Sequence, residues 1–221
     1  MRDLVIFGAT DLASMARYCA MDVLGRKVSA FAVDAGYRTL EEFHGIPVIE
    51  WPEMQSRFAP AATDCFIALG YRTMRGRRSV YEQVMAAGYG GINLVSPASN
   101  VAASALMGDN NLILSGAVIE PGVQLGSNNV IWSNATICHD TKIGSHNFIA
   151  ANATLGGYVR VGDANFIGFS ATVLHHIVIG NDTLVGAQSL VRQPTHDLHQ
   201  YWGVPAIERG TIDATKGVRV E

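Results

Sequence analysis

The sequence predicts a small Rossmann-like α/β domain followed by a parallel β-helix built on a six-residue repeat, and three observations carry that reading. From Val95 through Val101, Met107, Ile113 and onward to Val185 and Val191, every sixth residue is aliphatic without a break. A helix repeats near 3.6 residues and a strand near 2, so only a coil of short strands with corners every six residues gives these side chains one environment. The residue four places on is mostly small or turn-forming, as at Ser99, Ala105, Asn111, Ala117 and Asn129, with Val123, Val159 and Ile177 as larger exceptions. Ahead of the repeat, strand-like and helix-like segments alternate, the pattern of a parallel sheet with helices on its faces.

Taken in order, the opening strand Leu4–Phe7 runs into Gly8-Ala9-Thr10-Asp11 and a helix over Leu12–Leu24. Glycine and free N–H groups at a helix start suit a phosphate, although any strand-to-helix turn needs a glycine. A second strand, Val28–Val33, ends at Asp34, where a carboxylate can meet a ribose or base edge or simply cap a turn. The strand Cys65–Leu69 ends at Gly70-Tyr71 on the same carboxyl edge, and a helix follows over Tyr81–Ala87. Arg72, Arg75, Arg77 and Arg78 form a basic cluster whose default is a solvated helix face. The expected divisions are residues 1–93, a small α/β domain; 94–195, the prism; and 196–221, a capping tail.

With three faces per coil, residues eighteen apart stack about 4.8 Å from one another, and the run makes between five and six coils. A polar residue two or three places after the aliphatic one must then point outward, and His139-Asp140 holds those places after Ile137. Gly157 stacks one coil beyond His139 and His175 two coils beyond, leaving a gap with an exposed backbone N–H beside an imidazole. That is the space and the donor an acyl carbonyl needs during transfer. Outward Trp132, Phe148 and Tyr158 would expose apolar surface unless prisms associate. His146, His196 and His199 read as surface residues, and His175-His176 as solvated corner residues or ligand contacts. Pro194 removes a backbone donor and ends the stack.

Composition narrows the classes. A net charge of −3 offers no basic surplus for nucleic acid, and no apolar run approaches membrane-spanning length. Cys19, Cys65 and Cys138 lack disulfide or zinc spacing and fit reduced thiols of a cytoplasmic protein; the opening apolar run is too short for a targeting segment.

The opening Gly8-Ala9-Thr10, Asp34, Phe66-Ile67-Ala68-Leu69-Gly70, Val95-Ser96-Pro97-Ala98, the prism, Cys138-His139-Asp140 and Gly203-Val204-Pro205-Ala206 together resemble the left-handed β-helix sialic-acid O-acetyltransferases and nucleotide-amino-sugar N-acetyltransferases. The hand of the helix comes from that likeness, since a period of six does not set it. The resemblance implies acetyl-CoA as co-substrate without a metal, His139 as general base, and Asp140 as its orienting acid. It also implies an acyl-CoA groove against Gly157, Gly168, His175, Gly186, Ala187, Gly203 and Pro205, and nucleotide-sugar contacts at Gly8, Thr10, Asp34, Gly70 and Tyr71. A homotrimer with shared grooves, a nucleotide-linked amino sugar as acceptor, and the tail closing over the coenzyme are further implications. Asp11 departs from the usual small residues of the first loop, and its carboxylate repels a phosphate there. The rival readings are O-acetylation of sialic acid or another sugar hydroxyl, a zinc β-helix enzyme using His139 and His175, and a non-catalytic scaffold.

Overall fold

The computed structural model describes residues 2–220. Its first part is a sheet ordered β3-β4-β2-β1-β5-β6, formed by β1 (Asp3–Phe7), β2 (Ala30–Val33), β3 (Glu42–Phe43), β4 (Ile46–Glu50), β5 (Thr63–Ile67) and β6 (Gly90–Gly91). All neighbours are parallel except β3 and β4. Leu4, Val5, Ile6 and Phe7 are all buried, as expected of a central strand covered on both faces.

Three α-helices flank the sheet: α1 (Asp11–Arg17), α2 (Trp51–Arg57) and α3 (Met74–Ala86). The helix expected over Leu12–Leu24 changes to π-helical winding at Tyr18–Val23. The one expected from Tyr81 already begins at Met74, where Thr73 Oγ1 accepts from the Gly76 N–H at 3.2 Å. Arginines crowd that first turn and mask its apolar period.

The prism follows as three parallel sheets. Its first face stacks strands from Leu94–Val95 to Leu184–Val185, its second from Asn100–Val101 to Leu190–Val191, and its third from Leu106–Met107 to Val178–Ile179. Register is eighteen residues throughout, for example Ile113 to Ile131 to Ile149. The aliphatic column is at most 5 % exposed from Ile113 to Val191, whereas Val95, Val101 and Met107 are half-buried because no coil lies beneath them. Inside the prism, the side-chain oxygen of Asn111 accepts from the Asn129 N–H, that of Asn129 from Asn147, and that of Asn147 from Asn165, at 2.8–2.9 Å. These buried amides bind backbone donors of the next coil, so their burial costs little.

The outward residues of the first face are Leu94, Leu112, Val130, Phe148, Phe166 and Leu184, and all are buried against the leading domain. Phe148 stacks between Trp132 and Phe166, each at 5.4 Å, and Tyr71 meets it edge-on at 5.0 Å. Trp132 and Phe148 therefore do not face a neighbouring prism, contrary to expectation. The chain's own α/β domain already removes them from water, and only Tyr158 of that trio is exposed.

Helix α3 lies over the corner joining the third face to the first. Arg75 forms a two-point ion pair with Asp182 at 2.9 and 3.0 Å. Arg77, expected on a solvated face, is 1 % exposed and donates to the carbonyl and side-chain oxygens of Asn128, while its Nε and Nη1 have no partner among the described residues. Burial pushes the guanidinium down to about 9. His146, expected at the surface, is 7 % exposed; its Nδ1 accepts from the Asn128 amide at 2.9 Å, and burial, with Arg77 and Arg78 nearby, lowers it to about 4. Both residues are inside because the leading domain needs a seat on the prism, which the repeat alone does not reveal.

After Val191 the tail adds one more parallel rung to the first face, Leu184 to Gln200 and Val185 to Tyr201, and then turns antiparallel through Ile207–Thr211. It continues back to the leading domain, where Val218 is buried and accepts from the Met74 N–H at 3.1 Å. Among the described residues no helix is long and apolar enough to cross a membrane.

Candidate functional site

Every sixth residue of the prism turns its corner with a positive φ, and Asp140 takes that place at φ 57°. The turn throws His139 outward and lets Asp140 Oδ2 meet its Nδ1 at 3.0 Å. A carboxylate only accepts, so Nδ1 carries the proton and the lone pair of a neutral ring lies on Nε2. The ring covers Gly157 of the next coil: a Cβ there would lie 2.7 Å from Nε2 and 2.8 Å from Cε1. Thus the gap left by Gly157 is filled by the His139 imidazole itself. The Gly157 N–H makes no hydrogen bond among the described residues. Tyr158 presents its ring perpendicular to His139 at 5.2 Å and stacks flat on His176 at 4.9 Å.

Glu120 went unremarked in the sequence. Its Oε2 accepts from the His139 backbone N–H at 2.7 Å and so ties the corner to the coil before it. The signal is an offset of nineteen rather than eighteen residues. At the same offset Gly157 finds Cys138 and His175 finds Gly156, so neither has such a tether. Cys138 itself is half-buried, and burial and the Glu120 charge raise its thiol.

The expected coenzyme residues frame the second face. Gly157 and His175 lie on its edge toward the third face, Gly168, Gly186 and Ala187 on its edge toward the first. Gly203 sits at the top, where its N–H donates to Ser189 Oγ at 3.1 Å and its carbonyl accepts from Leu190, with exposed Pro205 beside it. Gly186 is not open: the Trp202 indole covers it, so closely that a Cβ would collide with Cε3.

The expected nucleotide residues gather elsewhere, at the carboxyl edge of the leading sheet. Gly8 has φ 125° and runs so close to the Ala68 carbonyl that a Cβ would come within 2.7 Å, which only glycine allows. Thr10 precedes α1 without a side-chain capping bond, and Asp11 is exposed in its first turn. Asp34 closes a turn through its carbonyl to the Tyr37 N–H at 3.0 Å, and Gly70 and Tyr71 follow β5. Because Tyr71 packs on Phe148 and Phe166, this edge opens above the first face. His139 occupies the corner between the second and third faces, opposite the first. The structure therefore does not bring the two groups together within one chain. For a metal, no group of three or more His, Cys, Asp or Glu side chains converges among the described residues.

Residues 104–138 and 126–157 match the bacterial transferase hexapeptide (six repeats) family. No curated protein matches the chain. Among solved structures, perosamine N-acetyltransferase PerB from Caulobacter crescentus, in complex with CoA and GDP-perosamine, is 25% identical with a TM-score of 0.84, over 94% of this chain and 97% of that one. The acetyltransferase domain of PglB from Neisseria gonorrhoeae FA1090, in complex with acetyl coenzyme A, is 25% identical with a TM-score of 0.85, over 94% and 99%. WeeI from Acinetobacter baumannii AYE shares the fold at 17% identity, with a TM-score of 0.82 over 95% and 100%. The chain thus carries the bacterial transferase hexapeptide repeat and has the α/β-plus-left-handed-β-helix fold of the nucleotide-amino-sugar N-acetyltransferases.

Proposed function

We propose that the chain transfers an acetyl group from acetyl-CoA to the amine of a nucleotide-linked amino sugar, with His139 as general base. The observation that carries the reading is the His139 ring, oriented by Asp140 through Nδ1, with Nε2 against Gly157, a residue whose N–H is unspent among the described residues. The likeness to PerB, solved with CoA and GDP-perosamine, supports the substrate class. In the step, the neutral sugar amine attacks the thioester carbonyl carbon and Nε2 takes its proton as the C–N bond forms. The Gly157 N–H meets the developing oxyanion. Collapse breaks the C–S bond, and the imidazolium returns the proton to the departing thiolate. Asp140 keeps Nδ1 protonated and stabilises the imidazolium.

In this reading residues 1–93 hold the nucleotide sugar, 94–195 carry the transfer, and 196–221 cap the prism and close the coenzyme groove along the second face. The three free cysteines suit a reducing, cytoplasmic setting. Because the nucleotide edge opens over the first face and His139 stands on the opposite corner, the acceptor is delivered by a neighbouring copy. A homotrimer of prisms meets that need. Light scattering is expected to give three chains. Mixing Tyr71→Ala and His139→Asn proteins, each inactive alone, should restore activity in mixed assemblies; a monomer, or mixtures without recovery, would refute the shared site. The activity itself is tested by mass spectrometry of UDP-, dTDP-, GDP- and CMP-linked amino sugars incubated with acetyl-CoA. Acetylation confined to unlinked sugars or to hydroxyls would overturn the acceptor assignment.

A further inference from the structure

Beside His139, on the third face, lies a cleft of about 530 Å³ whose lining includes Gln124, Asp140, Lys142, Tyr158, Arg160 and His176. We infer that Lys142 and Arg160 in this cleft hold the diphosphate of the acceptor nucleotide, brought there by the neighbouring copy's leading domain. The occupant's identity rests on the acetyl-transfer reading above.

Lys142 and Arg160 are direct partners in one parallel ladder, so their outward side chains rise from adjacent rungs. Like charges facing one another in a ladder destabilise it unless an anion lies between them. Neither cation forms an ion pair or a hydrogen bond among the described residues. By contrast Arg75, Arg77 and Arg78 of the basic cluster are spent on Asp182, Asn128 and Glu82. The leading loop offers a phosphate little compensation, since Asp11 stands exposed in the first turn of a helix of seven residues. Lys142 is three residues from His139, a chain reach of at most about 10 Å. A hexose whose amine meets Nε2 is thus within reach of these two cations through its anomeric phosphate. The flat Tyr158–His176 pair forms the wall between them and the base, a surface on which a sugar ring can lie. The other source of a diphosphate is coenzyme A, whose expected contacts lie along both edges of the second face, with Gly157 and His175 at the corner shared with the third, so the two probes are tested separately.

The test compares wild type with the Lys142→Gln/Arg160→Gln double variant by calorimetry, using a nucleoside diphosphate and coenzyme A as separate probes, with light scattering to verify unchanged assembly. Each cation is expected to contribute about tenfold, so nucleoside diphosphate affinity should fall about 100-fold in the double variant while coenzyme A affinity stays within twofold. In turnover, KM for the nucleotide sugar should rise with kcat and the acetyl-CoA KM unchanged, and an unphosphorylated amino sugar should react equally with both proteins. A loss of coenzyme A binding, or no loss for either probe, overturns the inference. Wild type that binds the nucleoside diphosphate through these cations yet transfers no acetyl group would refute the enzymatic reading and leave this site standing.

Discussion

Replacing Gly157 with alanine tests whether the imidazole works from the position it occupies over that residue. A Cβ at 157 would stand 2.7 Å from His139 Nε2, and ordinary contact begins at 3.4 Å and extends to 4 Å, so the ring must withdraw by about 1 Å. The backbone at 157 does not have positive φ, and the ring is half-exposed and can swing outward. Folding stability should therefore change by less than about 1 kcal/mol, the usual range for a compatible glycine-to-alanine change. Turnover is different, because a misplacement of about 1 Å costs about 100-fold in a catalytic step. The expected result is kcat down about 100-fold, with KM for acetyl-CoA and the melting temperature nearly constant. His139→Asn should cost about two to four orders of magnitude by removing the base. Adding Gly157→Ala to His139→Asn should then cost almost nothing more, since both act on one ring. Steady-state kinetics on the four proteins closes the cycle. Wild-type turnover in Gly157→Ala, or fully additive losses in the double variant, would show that the proton is taken elsewhere.

Three further outcomes are expected. Glu120→Ala should lower kcat about tenfold through the lost tether to the His139 N–H, and Glu120→Gln, which keeps an acceptor, should recover most of it; equal losses would assign the effect to charge instead. Phe148→Ala removes a ring that is 1 % exposed and stacked on both sides, and should cost about 3–5 kcal/mol in denaturant titrations; a loss below about 1 kcal/mol would mean that the seam is loosely packed. His146 is lowered to about 4 from 6.5 in the fold, so between those values the unfolded chain binds more protons and stability falls as pH falls, with no change above 6.5. The full effect is about 3 kcal/mol, and His146→Gln should flatten the stability profile in that window while other acid-sensitive groups stay in place.

The prism was legible because its period admits one geometry, and the His139–Asp140 corner because only an outward position is free for polar side chains. Which face would be covered was also written, but less openly. Leu94, Leu112, Val130, Phe148, Phe166 and Leu184 are apolar at every eighteenth outward place, whereas the same column of the third face reads Leu106, Gln124, Lys142, Arg160 and Val178. Phe148 beside Ile149 alone, without that column, points to a neighbouring prism instead. Burial of Arg77 and His146 has no local signal, since it depends on how α3 and the prism corner meet. Glu120 escaped because its hydrogen bond crosses a corner and so departs from the vertical stacking rule by one residue.

The eighteen-residue register also governs which changes of chain length the molecule can absorb. An insertion of one complete turn between Val101 and the His139 corner lengthens the column and leaves every later side chain pointing as before. An insertion of six residues keeps the repeat intact yet rotates everything after it by a third of a circle, carrying Phe148 and Phe166 away from the α/β domain. Length variation in descendants of this chain is thus confined to multiples of a whole turn, even where the hexad pattern would accept less.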